Sequence, residues 1–393
     1  MKRFLVILTI VFTVTGIAYL YTTDSRFKDL LRGTLDLDAQ IPEDSVSNPS
    51  HPVKDSKKAT ERKKKIPKTV KPGPFHALDE YARKTPKKYT TDPETLSQYL
   101  LKPAKTDLQK VRTLFTWIAT HVQYDAEAYN SNNYPDQSAL NVLASRKAVC
   151  AGYSALMQTL CEAAGLEAKS IVGYAKGYGY KPGDKFTETD HAWNAVKIDD
   201  AWHLFDVTWG SGFGTTKDGK LVTAMEFDPF WFDVHPKAFI FTHLPEDPSW
   251  QLTGDVWQLD EYERQPYLPG AFFTVGFDPN EIYREVKSGG PREFVDVYSM
   301  DFPVKVIRIP YAKNQIAGQE LSFKIQSDYA EDIVLIDGSN WHHFKKQDNT
   351  FTLLHKPVSN ELQISIKINW FDEDYSTIAI YSVQNGAIVS NNF

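Results

Sequence analysis

Val149-Cys150-Ala151-Gly152-Tyr153-Ser154 holds both a helix start and a nucleophile in six residues. After the cysteine, Tyr153, Leu156, Met157, Leu160 and Ala164 recur at the three-and-four spacing of one helical face, which predicts a helix with Cys150 in its first turn. Gly165 supplies the left-handed residue that ends such a helix. A cysteine in a first turn faces unpaired backbone N–H groups and the positive end of the helix dipole, which favour thiolate over thiol. The thiolate is the attacking form. The same amides, the N–H of Cys150 first among them, are placed to hold the oxyanion of a tetrahedral intermediate. Taken alone, the cysteine reads as readily as a small buried hydrophobe.

Two segments downstream change that balance. Ala192–Ile198 and Ala201–Val207 read as strands of a hairpin joined through Asp199-Asp200, with His191 and Asp206 near their far ends. Our working register sets Ala195 against Trp202 and therefore His191 against Asp206. Opposed Cβ atoms on one face lie about 4.5–5.5 Å apart, close enough for a carboxylate to hold an imidazole in one tautomer. A register with Ile198 opposite Ala201 sets His191 against Thr208 instead, and the sequence leaves both open. Either way the chain order is cysteine, histidine, aspartate.

Other segments accompany these three. They are Phe115-Thr116-Trp117-Ile118 with Tyr124-Asp125, the glycine- and tyrosine-rich run 173–180, and Asp206-Val207-Thr208-Trp209-Gly210-Ser211-Gly212. Phe227-Asp228-Pro229-Phe230-Trp231-Phe232 and the stretch 243–252, beginning His243-Leu244-Pro245, complete the set. In order and spacing, over roughly residues 75–255, they resemble the transglutaminase-like superfamily of papain-fold enzymes, and within it the kyphoscoliosis-peptidase-like branch. The resemblance implies Cys150 as nucleophile, His191 as general base and then acid, and Asp206 as the carboxylate that orients it. All three residue types are present, so nothing marks the domain as inactive. The family's second oxyanion donor varies between branches. Tyr124 and Tyr134 are candidates here, and Trp193, Trp202 and Trp209 flank the site as candidate walls of a substrate cleft. Each of these aromatics reads equally as core packing.

A chain of 393 residues, 42% hydrophobic and 13% aromatic, is long for one domain and able to bury a sizeable core. Its two cysteines are too few for a disulfide scaffold. Cys150 and Cys161 fall on the same expected helix about 16 Å apart by helical rise, beyond the roughly 7 Å that a disulfide spans. Cys161 is expected as a buried hydrophobe, which leaves Cys150 free.

Met1-Lys2-Arg3 precedes an uncharged run from Phe4 to Tyr21, near the lower length for crossing a bilayer. The leading positive charges keep the short N-terminus inside and send the rest of the chain out of the cytoplasm. Residues 1–21 are therefore expected as a signal sequence or N-terminal membrane anchor, and the chain as extracytoplasmic, membrane-anchored or secreted. Residues 22–74 lack hydrophobic periodicity and form an expected disordered basic tether, with nine lysines and arginines over 54–71 against Asp55 and Glu61. Such a run reads either as an extended, self-repelling spacer or as a contact for the cell envelope or membrane. It has no aromatic residue, which argues against nucleic acid as a partner.

From residue 75 to 262 the expectation is an α+β papain/transglutaminase-like catalytic domain. Its helices are expected at His76–Arg83, Pro93–Leu101, Asp107–Val122 and Ser138–Ala144, with Asp92 and Thr106 as N-caps. The run 177–184 is a glycine-punctuated loop beside the site, without the Lys-Ser or Lys-Thr of a phosphate loop. Beyond about residue 263 the chain reads as strand after strand, so 263–393 is expected as a C-terminal β-sandwich of immunoglobulin-like type.

Metal and cofactor chemistry find no motif. There is no His-Glu-x-x-His, no paired-cysteine zinc spacing and no EF-hand loop, and adjacent His342-His343 would point to opposite strand faces. A Gly-x-Ser-x-Gly elbow is also missing. The expected activity is cysteine-dependent acyl transfer on a protein or peptide substrate, with no cofactor and no metal. The family branch tilts the outcome toward a protease or amidase. A transglutaminase-type cross-linker and a catalytically quiet interaction module of the cell envelope are the competing readings.

Overall fold

A computed structural model describes residues 73–300, 302–368 and 374–384. The expected N-terminal segment 1–21 and all but the last two residues of the tether lie outside the described residues. Among the described residues, no helix is long and apolar enough to cross a membrane.

The helical lobe is set by its caps. Helix α1 (His76–Arg83) is followed by α2 (Pro93–Leu100), which Asp92 opens by accepting the Thr95 N–H at 2.7 Å. Thr106 does the same for α3 (Asp107–His121), accepting the Gln109 N–H. Val111, Leu114, Phe115, Trp117 and Ile118 of α3 are fully buried. Arg112 on the same helix grips both carboxylate oxygens of Asp79 at 2.7 and 2.8 Å, locking α1 onto α3. Strands β1 (Gln123–Tyr124) and β2 (Lys147–Ala148) then pair in parallel on either side of α4 (Ala126–Ser131) and α5 (Ala139–Ser145). Helix α6 (Cys150–Ala163) follows at once. It ends where the Gly165 N–H meets Glu162 O and the Leu166 N–H meets Cys161 O, with Gly165 at φ 75°, the paired bonds of a left-handed cap.

A four-stranded antiparallel sheet lies against α6. Its strands are β3 (Ala168–Ala175), β4 (His191–Ile198), β5 (Ala201–Phe205) and, after the hairpin β6 (Gly212–Lys217) and β7 (Lys220–Met225), β8 (His243–Pro245), in the order β5-β4-β3-β8. Asn194 on β4 donates to Ser154 O and ties sheet to helix.

The hairpin register is the one with Ile198 opposite Ala201, not Ala195 opposite Trp202. The cause is turn chemistry. This register puts Asp199 (φ 48°) and Asp200 (φ 64°) in a two-residue turn with both residues left-handed, the geometry whose twist matches the strands. Our working register would have moved that turn to Ile198-Asp199 and forced a β-branched residue into the left-handed region, where it is sterically penalised. The two registers differ by an even step, so His191 and Asp206 share a face in both.

Residues 259–287 depart from the expected run of strands. They form helices Leu259–Arg264, Gly270–Thr274 and Pro279–Lys287. Asp278 caps the last by accepting the Asn280 and Glu281 N–H groups, with Pro279 in the first turn and Ile282 and Tyr283 on the buried face.

The strand succession begins after these helices: β9 (Asp296–Val297), β10 (Lys305–Arg308), β11 (Asn314–Ile316), β12 (Leu321–Gln326) and β13 (Asp332–Asp337), then β14 (Asn340–His343), β15 (Lys345–Gln347), β16 (Thr350–His355), β17 (Glu361–Lys367) and β18 (Ser376–Gln384). One sheet runs β10-β12-β16-β15 and the other β11-β18-β17-β13-β14, with β9 also on β18. Their inner faces, including Phe323, Ile325 and Phe351 against Leu335, Ile364 and Tyr381, close a β-sandwich core. The fold is thus α+β, a helical lobe packed on an antiparallel sheet followed by a β-sandwich. Its two cores meet around β8, since Ile240, Phe241 and Leu244 belong to the sandwich-side core.

Candidate functional site

Cys150 is the first residue of α6, and Val149 enters it in extended conformation without a side-chain cap. No side chain therefore competes for the first-turn amides, which stay directed at whatever the sulfur attacks. The entering chain is pinned from behind, where Gln137 Oε1 accepts the Val149 N–H at 3.0 Å. Cys150 is half-buried, whereas Cys161 is fully buried and both are free thiols.

His191 opens β4, and its Nε2 lies 2.7 Å from Asp206 Oδ2. Burial alone would lower the imidazole's pKa, but the Asp206 carboxylate, together with a hydrogen bond and charge interaction from Cys150, outweighs it and raises the ring to about 10. With Nε2 engaged by Asp206, Nδ1 is the nitrogen left to the Cys150 sulfur. Asp206 follows β5 directly, where the chain leaves the ladder and turns into the short helix Trp209–Ser211. It is fully buried. Burial favours its neutral form, yet His191 and His243 hold the carboxyl well below the usual carboxylate range.

His243 was not singled out by sequence reasoning as a site residue. It sits on β8, which adds to the sheet edge with His243 opposite Ala175. Its Nε2 reaches Asp206 Oδ2 at 3.0 Å, and its Nδ1 lies 2.8 Å from Thr242 Oγ1. Burial pushes this ring down to about 4 against the pull of Asp206, so it is neutral, with its proton on Nε2 donating to Asp206 and Nδ1 accepting from Thr242. Asp206 Oδ1 takes the Trp209 N–H at 3.0 Å. One carboxylate therefore receives three donors and sits between two histidines of opposite protonation. The signal available was the segment His243-Leu244-Pro245 itself, but nothing in its spacing links it to residue 206.

An open cleft runs past His191. Tyr124, Trp209, Tyr129 and Tyr178 line it together with Phe213, Leu221 and Met225 of the β6–β7 hairpin. Tyr124 is placed by the β1–β2 ladder, which sets it opposite Ala148 two residues before Cys150. Burial, then the neighbouring Cys150, pushes its hydroxyl well up, so it stays a neutral donor. Tyr134 packs with Tyr124 on Ala128, Val149 and Ala151 and does not line the cleft. Trp193 lies under His191 in the core, only 1% exposed, with its ring 5.1 Å from that of His243. Trp202 packs edge-on against Trp250, away from the cleft. The loop 177–184 contributes Gly177 and Tyr178 to the wall. The β6–β7 hairpin was not read from sequence, although Asp218-Gly219, both at positive φ, is a strong two-residue turn signal.

His191, Asp206 and His243 bring ligand-type atoms within 4.8 Å of one another. These atoms are spent on mutual hydrogen bonds, so the cluster orients a base rather than offering a cation site.

The chain has similar proteins of known name. A family profile described as the transglutaminase-like superfamily matches residues 94–207. The chain is 37% identical over 203 residues to kyphoscoliosis peptidase of Homo sapiens, covering 51% of this chain and 30% of that protein. It is 31% identical over 193 residues to hillarin of Drosophila melanogaster, covering 46% of this chain and 23% of that protein. A solved structure of a TGase is 27% identical over 36% of this chain and 34% of that chain, with a TM-score of 0.23. The chain spans less than a third of the length of these two curated relatives.

Proposed function

We propose, for a chain whose residues 94–207 match the transglutaminase-like superfamily profile and which is similar to kyphoscoliosis peptidase over about half its length, a cysteine-dependent acyl transfer on peptide or side-chain amides that ends in hydrolysis. The observation that carries this reading is the 2.7 Å bond from His191 Nε2 to Asp206, which leaves Nδ1 to Cys150. The Cys150 sulfur attacks the amide carbonyl carbon as thiolate. The oxyanion that forms is held by the Cys150 N–H and by the Tyr124 hydroxyl. The imidazolium of His191 gives its Nδ1 proton to the leaving nitrogen as the C–N bond breaks, leaving a thioester. Water then gives a proton to Nδ1 and attacks the thioester carbon; the C–S bond breaks, and the product acid and the ion pair are restored. Asp206 keeps the ring aligned through both halves.

An amine in place of water would give cross-linking through the same residues. A partner-binding protein without turnover is the remaining alternative. We further propose that the apolar run 4–21 directs this activity to the outside of the cytoplasmic membrane, against protein or peptide substrates of the cell envelope.

The test begins with iodoacetamide at pH 6. Rapid, stoichiometric alkylation of Cys150 that His191→Ala abolishes supports the ion pair; alkylation no faster than that of a free thiol sinks the enzyme reading. Casein with a fluorescent primary amine then separates the outcomes. Fragments without label mean hydrolysis, and label incorporation means transfer.

A further inference from the structure

We propose that the β-sandwich carries a binding site for a divalent transition-metal ion, zinc by its donor chemistry, formed by Asp337, His342 and His355. This proposal is independent of the acyl-transfer reading and concerns the other half of the chain.

The strand registers bring the three together. His342 on β14 stands directly opposite Leu335 on β13, and Asp337 lies two residues further along β13, so both side chains share the inner face of that sheet. His355 ends β16 in the facing sheet, two residues past Leu353 and four past the buried Phe351. The three residues therefore converge from three strands and both sheets at one end of the sandwich. One ligand-type atom from each lies within 4.8 Å of the others. Two nitrogens and one carboxylate oxygen form a donor set suited to zinc, and a fourth position remains for water.

The surroundings favour a cation over a simple polar cluster. Asp337 is fully buried, and its carboxylate is fixed by the backbone N–H groups of Val358 and Ser359 at 2.9 and 2.8 Å. These donors orient a metal-ligating oxygen in the way that outer-shell partners do. His355 Nε2 lies 2.7 Å from Asp337 Oδ2, a hydrogen-bond separation that an ion entering between them would have to widen. His342 is the residue a hydrogen-bonded cluster leaves unexplained. It is half-buried on an inner face, its ring centroid is 4.3 Å from that of His355, and no hydrogen bond is found for either ring nitrogen among the described residues. Two imidazoles that close repel when both are charged, and neither ring donates to the other in the structure. A cation between them gives both lone pairs a partner.

The neighbouring His343 shows the contrast. It points to the other face and pairs with Asp332 at 2.8 Å, which Tyr375 also contacts. Ligands of tetrahedral zinc lie roughly 3.3 Å apart, given bond lengths of about 2.0–2.1 Å. Rotation of His342, at the open edge, closes the remaining gap. His355 must offer the Nε2 lone pair to the ion and carry its proton on Nδ1. An ion held here would join β13 and β14 of one sheet to β16 of the other.

The experiment uses the full chain after chelator treatment and removal of the chelator. Zinc is titrated by calorimetry, and Co2+ is followed by its visible absorption. The expected result is one equivalent bound and a melting temperature raised by several degrees. His342→Ala leaves the Asp337–His355 bond in place and should fold; it is expected to weaken zinc at least tenfold and to abolish the thermal shift. His342→Phe keeps the ring volume and serves as a second variant with the same expectation. Because a thiolate beside a histidine also captures zinc, Cys150→Ala is titrated in parallel and should bind as the parent does. Absence of saturable uptake overturns the proposal. So does uptake that both His342 variants retain, or uptake that Cys150→Ala removes.

Discussion

His243 donates from Nε2 to Asp206 Oδ2 across 3.0 Å, although 37 residues separate them in the chain. The same oxygen takes His191 at 2.7 Å, so the carboxylate that orients the base is itself held from its far side. A buried carboxylate with one donor could swing about its Cα–Cβ bond. With Trp209 N–H on Oδ1 and two imidazoles on Oδ2, it is fixed in plane and in direction.

Replacing His243 by glutamine should therefore cost about 1–3 kcal/mol of stability at neutral pH, as the flexible amide that replaces the ring neither aligns its donor on Asp206 nor fills the ring's buried space. It should also lower kcat roughly tenfold with little change in KM. The pH dependence distinguishes the neutral ring from mere bulk. Its folded pKa of about 4 lies below the ordinary 6.5, so between those values the unfolded chain binds a proton that the native chain refuses. The parent's advantage over His243→Gln should shrink as pH falls from 6.5 to 4, by at most about 1.4 kcal/mol per pH unit, and level off below. Chemical denaturation at several pH values reads this directly, and a pH-independent difference would overturn it.

Tyr124→Phe removes the proposed second oxyanion donor and leaves the ring. The expected loss is roughly 10²-fold in kcat with KM nearly unchanged, since the donor acts on charge that develops only during the reaction. Steady-state kinetics on a chromogenic peptide amide decide the matter. An unaltered kcat would return Tyr124 to the cleft wall alone.

Gly173 sits where β3 runs between β4 and β8, and a Cβ there would fall 2.2 Å from Leu244 O and 2.5 Å from Trp193 Cη2. Gly173→Ala must push β8 outward, and with it His243. We expect a loss of at least about 1–3 kcal/mol, the range of overpacking in a rigid core. A fall in the rate of Cys150 alkylation at pH 6 should accompany it. Parent-like stability would mean that β8 yields without cost.

Asp200 occupies a left-handed position at the β4–β5 turn with its side chain fully exposed. Glycine is the preferred residue there, so Asp200→Gly should stabilise the chain by about 0.5–1 kcal/mol. A thermal melt shows the gain as a rise of a few degrees. A lower melting temperature would mean that the turn depends on the aspartate.

Most element boundaries were legible because they rest on local chemistry. Asp92 and Thr106 capped the helices that their sequence positions called for, and Gly165 ended the helix of Cys150. The pairing of His191 with Asp206 was legible for a subtler reason, since either register keeps both residues on one face. The working register failed because it ignored what φ > 0 demands of Ile198. The helices over 259–287 were missed because they are short and pack as a connector, where burial outweighs any long periodic signal. His243 was beyond reach, since its partner is set by an edge strand that joins the sheet only in three dimensions. The convergence of His342 and His355 was hidden in the same way, by a sandwich whose two sheets place distant strands face to face.

Strand β8 has two allegiances. His243 serves the carboxylate of the site, while Ile240, Phe241 and Leu244 around it belong to the core that the helices over 259–287 and the sandwich share, Phe241 meeting Trp257 and Phe273. A fragment trimmed to the matched stretch 94–207 would keep Cys150, His191 and Asp206 yet lose the Trp231 carbonyl that takes the Asp206 N–H, as well as His243. Extending it only to Pro245 would restore those partners and leave three large apolar side chains without cover. The smallest excisable unit that keeps its site intact is therefore wider than the homologous core, and surgery on the C-terminal half should register as lost reactivity of a thiol more than a hundred residues upstream.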